Sequence, residues 1–198
     1  MKLVLASSNA GKLVELRDLL GATGIELVAQ SDLGVEDIEE TGSTFVENAL
    51  LKARHASAVT GLPALADDSG ICVDALGGAP GLYSARYSGR HGDNEGNIDK
   101  LLAALKDVPD ERRGAHFYAV IVALRHAGDP RPIIAEGVWN GRILHRRQGS
   151  RGFGYQPVFL DTEHNISAGE IDDALKNRVS HRARALAALR ERLPELAR

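Results

Sequence analysis

Six consecutive residues near the amino terminus, Ser7-Ser8-Asn9-Ala10-Gly11-Lys12, offer two hydroxyls, a carboxamide, a flexible glycine and an ammonium group. They follow Lys2-Leu3-Val4-Leu5-Ala6, which reads as a short buried strand. They precede Leu13 to Leu20, where Leu13, Leu16 and Leu20 fall on one helical stripe. A tight loop between a strand and a helix start aims unpaired backbone N–H groups and the positive end of the helix dipole at one spot. The ligand this suits is a phosphate chain. The segment is not a Walker A loop, because Ala6 stands where that motif needs its first glycine and Leu13 where it needs Ser or Thr. By itself, the same turn could do no more than cap a helix, with Ser8 or Asn9 as the N-cap.

Two acidic groups could serve such a ligand. One is Glu36-Asp37-Ile38-Glu39-Glu40, just before a helix; the other is Asp67-Asp68, which follows the apolar Pro63-Ala64-Leu65-Ala66. The strand is expected to end at Ala66, with Ile71-Cys72-Val73 able to resume it, and ligands of α/β proteins collect at strand ends. Acids beside a phosphate chain repel it unless a divalent cation intervenes. Mg²⁺ suits this inventory, since it takes a few carboxylates together with waters and phosphate oxygens. A carboxylate that touches a metal-bound water can act as its general base. The bland alternatives are that Glu39 and Glu40 are solvated or favour a helix start, and that Asp67-Asp68-Ser69-Gly70 is a turn.

The carboxyl-terminal third supplies aromatic and cationic groups. In Gly152-Phe153-Gly154-Tyr155-Gln156-Pro157 two glycines bracket an aromatic ring, so Phe153 or Tyr155 could stack on a flat base, or could simply fill core. Lys176-Asn177-Arg178-Val179-Ser180-His181-Arg182 is dense in donors. Ser180 is a candidate N-cap, which puts His181 and Arg182 in a first helical turn, where the dipole disfavours cations. Cations placed against the local rule point to an anionic partner, the alternative being a solvated basic face.

Positioning these groups requires alternating strands and helices. Glu26–Gln30 reads as a second strand, and Phe45–Ala56 as a helix whose Thr44 and Glu47 form a capping box. Ile98, Leu101, Leu102 and Leu105 mark another helix. The strands His116–Leu124 and Pro132–Trp139 are separated only by Arg125–Arg131, which predicts an antiparallel hairpin. Ser180–Leu193 closes the chain as a helix with Leu186, Leu189 and Leu193 inward. The expected fold is thus α/β with a mixed sheet, and residues 1–198 read as one domain.

With 43% hydrophobic residues the chain can build a core; its net charge of −3 makes it no polyanion trap, and no basic stripe with interleaved aromatics points to a polynucleotide partner. The single cysteine, Cys72, excludes a disulfide framework. No apolar run approaches the ~18–20 residues of a membrane span, and no basic-then-apolar leader opens the chain, so no membrane partner and a cytoplasmic location are expected.

Several stretches together resemble the Ham1/inosine triphosphate pyrophosphatase family, most closely its bacterial members. They are Ser7 to Lys12; Glu39-Glu40-Thr41-Gly42 with Thr44-Phe45 and Glu47-Asn48-Ala49; Lys52-Ala53; Ala66-Asp67-Asp68-Ser69-Gly70; Gly77-Gly78-Ala79-Pro80-Gly81; Ser84-Ala85-Arg86-Tyr87; Gly152-Phe153-Gly154-Tyr155; and Ser180-His181-Arg182. They occur in family order over nearly the whole chain. The resemblance implies an elongated mixed β-sheet flanked by helices in two lobes with a central cleft, a homodimer, and Mg²⁺-dependent hydrolysis of ITP, dITP and XTP to the monophosphate and pyrophosphate, which cleanses the nucleotide pool. It implies that Ser7, Ser8, Asn9, Ala10, Gly11 and Lys12 hold the triphosphate, with Lys52 assisting. Asp68 would bind metal and activate water, and Glu40 or Glu39 would share the metal. Ser69 would touch substrate, and Phe153, Gly154, Tyr155, Gln156, Lys176, His181 and Arg182 would surround the base. One departure stands out: the family commonly reads Phe-Gly-Tyr-Asp-Pro, and here the acid is the neutral Gln156. Two other readings remain open, a Maf-like pyrophosphatase for modified pyrimidine nucleotides and a non-catalytic nucleotide-binding protein.

Overall fold

The apolar runs become strands, and seven of them form one mixed sheet in the computed structural model, which describes residues 1–7, 16–17 and 24–197. In chain order the elements are β1 (Lys2–Leu5), β2 (Glu26–Ala29), α1 (Phe45–Thr60), β3 (Ala64–Val73), α2 (Asn94–Ala104), β4 (Gly114–Leu124), β5 (Ile133–Ile143), β6 (Phe159–Asp161), β7 (Ile166–Ser167), α3 (Asp173–Val179) and α4 (His181–Arg192). The sheet order is β2-β1-β3-β4-β5-β6-β7. β1 runs parallel to β2 and β3, whereas β6 is antiparallel to β5 and β7. β4 and β5 are neighbours joined only by residues 125–132, too short a link for a parallel crossover, so the expected hairpin forms. Among the described residues no helix is long and apolar enough to cross a membrane.

Two compact units divide the chain. One comprises Met1–Asp68, Ala119–Gly137 and Ala185–Arg198; the other comprises Ser69–Tyr118 and Val138–Arg184. The first has a core of Leu3, Leu5, Leu27, Leu65, Ile121 and Ile133 packed with Leu186, Leu189 and Leu193, the three leucines expected to face inward. The second is centred on Ile71, Ile98, Leu101, Phe117, Trp139 and Phe159. The expected first helix, Leu13 to Leu20, lies outside the described residues except for Leu16, which is buried in the first core, and Arg17, whose guanidinium donates to the Leu27 carbonyl at 3.1 and 3.2 Å.

One expectation is corrected. β3 does not stop at Ala66; it continues unbroken through Asp67-Asp68-Ser69-Gly70 to Val73. The turn preference of Asp, Ser and Gly is a weak local bias, and here both flanks are sealed: Leu65 and Ala66 on one side, Ile71 and Val73 on the other, all fully buried. The acids therefore sit within a strand, where successive side chains point to opposite faces.

The β4–β5 turn is held by charge. Asp129 is fully buried, and its carboxylate accepts from the Arg125 guanidinium at 2.6 and 2.8 Å and from the Arg125 and Arg131 amides at 3.1 and 2.9 Å. Arg54 on α1 donates to the carbonyls of Ala127 and Asp129. The Arg125 guanidinium, helped by these amides and opposed by burial, holds the Asp129 carboxyl far below its ordinary value. A carboxyl depressed by folding stabilises the fold above its unfolded pKa, and that contribution disappears as pH falls through the folded value. Stability is thus expected to decline from about pH 4 downward, and Asp129→Asn should flatten that acid limb. Urea midpoints of both forms at about pH 3 and about pH 6 check this; equal losses would refute it.

Candidate functional site

In the first unit, α1 organises a cluster of acids around one lysine. Thr44 caps the helix: its hydroxyl accepts from the Glu47 amide, and Glu47 reaches back to the amides of Ser43 and Thr44, as the capping-box pattern predicts. One residue on, the buried Asn48 accepts from the Gly42 amide at 2.8 Å. A Cβ on Gly42 would lie 2.6 Å from that same Asn48 oxygen, so only glycine allows the approach. This bond ties the segment carrying Glu40 to the helix carrying Lys52. Lys52 donates to Glu40 Oε1 at 2.6 Å, and its Nζ lies 3.9 Å from Asp68 Oδ1. All three are half-buried, with side-chain exposures of 16% for Lys52, 29% for Glu40 and 13% for Asp68. Burial alone would lower the Lys52 pKa; the Asp68 charge, the Glu40 bond and the Asp67 charge outweigh it, and the ammonium sits above its ordinary value.

Three carboxyl groups thus answer to one ammonium, an arrangement with room for further positive charge. Asp67 is buried, while Glu39 is exposed. Among the described residues no three acid, histidine or cysteine side chains converge as a ready-made metal cage. Mg²⁺ does not need one, because it binds through one or two carboxylates plus phosphate oxygens and waters. The donor set of Glu40 and Asp68, two hard carboxylates, fits that demand. Of the predicted phosphate loop, Ser7 is half-buried and its amide donates to the Leu5 carbonyl at 2.9 Å. Ser8, Asn9, Ala10, Gly11 and Lys12 lie outside the described residues.

In the second unit, α3 and the start of α4 carry the cations. Ser180 separates the two helices, and its hydroxyl accepts from the Ala183 amide at 3.2 Å, confirming it as a cap. Arg182 donates to Ser69 Oγ at 3.2 Å and stands over the Phe153 ring at 5.7 Å from its centroid; Lys176 stands over the same ring at 5.6 Å. Phe153 is 58% exposed, so an aromatic ring is presented to solvent beside two cations. A glycine of positive φ flanks it on either side: Gly152 (φ +76) and Gly154 (φ +59). At Gly152 a Cβ would overlap Gln156 Oε1, so the buried Gln156 carboxamide packs directly on a bare backbone.

Of the two rings offered for stacking, only Phe153 shows a face. Tyr155 is buried, its hydroxyl donates to the Ser84 carbonyl at 2.8 Å, and burial pushes its phenol up. His181 is 9% exposed and lies on an aromatic bed of Phe117 and Trp139. Neither aromatic was singled out from sequence. The available signal was strand alternation, which puts Phe117 and Trp139 on the inward positions of β4 and β5.

Comparison with known proteins places the chain. The Ham1 family profile matches residues 3–192. A dITP/XTP pyrophosphatase of Xanthomonas campestris pv. campestris is 64% identical over 194 residues, covering 98% of each chain. The structure of a HAM1 protein from Coxiella burnetii superposes with a TM-score of 0.94 at 47% identity, covering 98% of this chain and 99% of that one. A nucleoside-triphosphatase, dITP/XTP pyrophosphatase, of Mycobacterium abscessus superposes with a TM-score of 0.82 at 46% identity, covering 96% of this chain and 98% of that one. Shared over nearly its full length with these proteins, both in sequence and in fold, the chain belongs to the Ham1 family.

Proposed function

We propose that the protein hydrolyses non-standard purine nucleoside triphosphates (dITP, ITP and XTP) to the nucleoside monophosphate and pyrophosphate. The observation that carries the reading is the half-buried Lys52 shared by Glu40 and Asp68, an anionic cluster able to take a metal-bound phosphate chain. The names of the relatives support the substrate class, and that class of reaction calls for a divalent cation.

Mg²⁺ is the cation proposed, held by Asp68 and by Glu40 or its neighbour Glu39; when bound, it neutralises phosphate oxygens and acidifies water. The remaining chemistry belongs to the chain. Asp68 takes the proton of the water that attacks the α-phosphorus. The bond from that phosphorus to the bridging oxygen breaks, and the electron pair leaves with pyrophosphate. Ser7, Ser8, Asn9, Ala10, Gly11 and Lys12 receive the phosphates, and Lys52 keeps Glu40 and Asp68 from repelling each other as the chain binds. Ser69 contacts substrate, and Phe153, Gly154, Tyr155, Gln156, Lys176, His181 and Arg182 form the base subsite, with Phe153 as its stacking face. Hypoxanthine and xanthine carry a 6-oxo group where adenine carries an amino donor. Donors from Lys176, His181 or Arg182 facing that oxygen leave adenine mismatched, and a hydrogen-bonding site of this kind can discriminate by roughly 10⁴. The protein is proposed to act in the cytoplasm as a homodimer, a reading that the family resemblance supports.

Pyrophosphate release across a nucleotide panel, with and without Mg²⁺, tests the proposal. Release from dITP, ITP and XTP well above dATP, abolished by chelation, is expected. A preference for dTTP or UTP would favour the Maf-like reading instead. Tight binding without Mg²⁺-dependent release would leave a non-catalytic nucleotide binder.

A further inference from the structure

His181 is anchored at both of its levels. Its main chain opens α4 directly after Ser180, whose amide donates to the Lys176 carbonyl at 3.0 Å and whose hydroxyl caps Ala183 at 3.2 Å. Its imidazole lies face to face with Phe117, ring centroids 4.9 Å apart and planes 14° from parallel. The Trp139 indole is 6.5 Å away and 15° from parallel. Phe117 and Trp139 are themselves 5.9 Å apart at 28°. Phe159 wedges against both, at 4.7 Å from Phe117 and 5.2 Å from Trp139, with tilts of 58° and 60°. Phe117 is 8% exposed, Trp139 1% and Phe159 0%, so none of these rings has room to turn.

An imidazole donates and accepts only in its own plane. Whatever fixes that plane fixes the line along which the ring can address a partner. We propose that Phe117, backed by Trp139 and Phe159, is a positioning residue for nucleotide selection: it sets the plane of His181 and thereby the direction in which that side chain reads the purine edge. The inference rests on the proposed role of His181 in the base subsite. Phe117 itself touches no substrate, so removing its ring should not slow the chemistry of a nucleotide already bound. It should weaken the recognition that distinguishes a 6-oxopurine from adenine.

The test uses the full-length protein with Phe117→Leu and Phe117→Tyr, the second keeping the ring. Steady-state pyrophosphate release is measured with dITP and dATP, and thermal melting is recorded for each variant. The energy of an aromatic pair of this kind corresponds to a roughly 2- to 12-fold change in an equilibrium constant, which sets the scale of the expected effect. Phe117→Leu is therefore expected to raise KM for dITP by about that factor with kcat within about twofold, and to narrow the dITP-to-dATP preference accordingly. Phe117→Tyr should restore both. Unchanged KM and preference in a folded Phe117→Leu protein would overturn the proposal, as would equal losses in kcat for both nucleotides with no KM effect. Should Phe117→Leu not fold, the wild type decides by NMR. The ring protons of His181, assigned with His181→Asn, should resonate upfield of free imidazole with and without dITP, and free-imidazole positions would overturn the stack. A wild type that releases no pyrophosphate from dITP would sink the function and this inference together. Release by the wild type with unaltered Phe117→Leu selectivity would sink the inference alone.

Discussion

Asp68→Asn is expected to keep nucleotide affinity and lose turnover by roughly 10²–10⁴, the range that a positioned general base contributes. The substitution preserves shape and keeps one oxygen able to face the proposed Mg²⁺, while it removes the charge and basicity of the carboxylate. Lys52 keeps its 2.6 Å bond to Glu40, so the pocket is not left with an unpaired buried ammonium. Losing one negative charge also lowers the repulsion felt by an incoming triphosphate, which works in favour of binding and against any argument that the variant simply fails to capture substrate. Asp67→Asn is the control. Adjacent positions on an extended strand face opposite sides, and it is Asp68 whose oxygen lies 3.9 Å from Lys52. Single-turnover pyrophosphate release from dITP, paired with equilibrium binding under the same Mg²⁺ concentration, separates the two effects. Turnover within about tenfold of wild type in Asp68→Asn would remove this side chain from the role of base.

What was legible in the sequence follows the reach of the interactions involved. Thr44 and Glu47 are three residues apart and satisfy each other's backbone, so their capping box could be read directly and is present. The Ser180 cap and the hairpin around Asp129 are equally local. The glycines beside Phe153 signalled a loop, and the structure supplies the reason: a bare Cα at Gly152 under the Gln156 carboxamide. Legibility failed where distant segments decide. The continuation of β3 through Asp67–Gly70 is dictated by burial on both flanks, which overrides residue preference. The sharing of Lys52 by Glu40 and Asp68 joins three segments, and spacing alone left Glu39 and Glu40 equivalent; the bond to Lys52 is made by the half-buried Glu40, while Glu39 is exposed. The aromatic bed of His181 gathers residues from β4, β5, β6 and α4.

Arg113 is the extreme of that kind, and its replacement by methionine is expected to destabilise the fold by about 3–5 kcal/mol. It is 1% exposed, and among the described residues no carboxylate bonds to it. Its guanidinium instead donates to four main-chain carbonyls: Leu105 at 2.6 Å, Ile143 at 2.8 Å, Leu144 at 2.9 Å and Val108 at 3.3 Å. Those carbonyls lie at the end of α2, in the turn after it, and at the end of β5, so one side chain ties together the frame around the second core. Burial lowers the pKa of this guanidinium, which nonetheless keeps its proton, since arginine starts so high. Two effects compete on substitution. Methionine avoids the cost of burying a charge, and exchanging a buried ion pair for apolar residues is often harmless. That exchange succeeds only when both partners are replaced. Here the acceptors belong to the backbone and remain, buried and unsatisfied, at a cost of about 1–3 kcal/mol each before relaxation. The second effect wins. For a chain of this size about 3–5 kcal/mol corresponds to a melting temperature lower by roughly 6–20 °C. Arg113→Lys, with a single ammonium in place of the five-donor fork, should fall between the two. Urea unfolding of the three forms, with the slope of the transition unchanged, is the measurement, and an Arg113→Met protein within about 1 kcal/mol of wild type would show that the carbonyls find other partners.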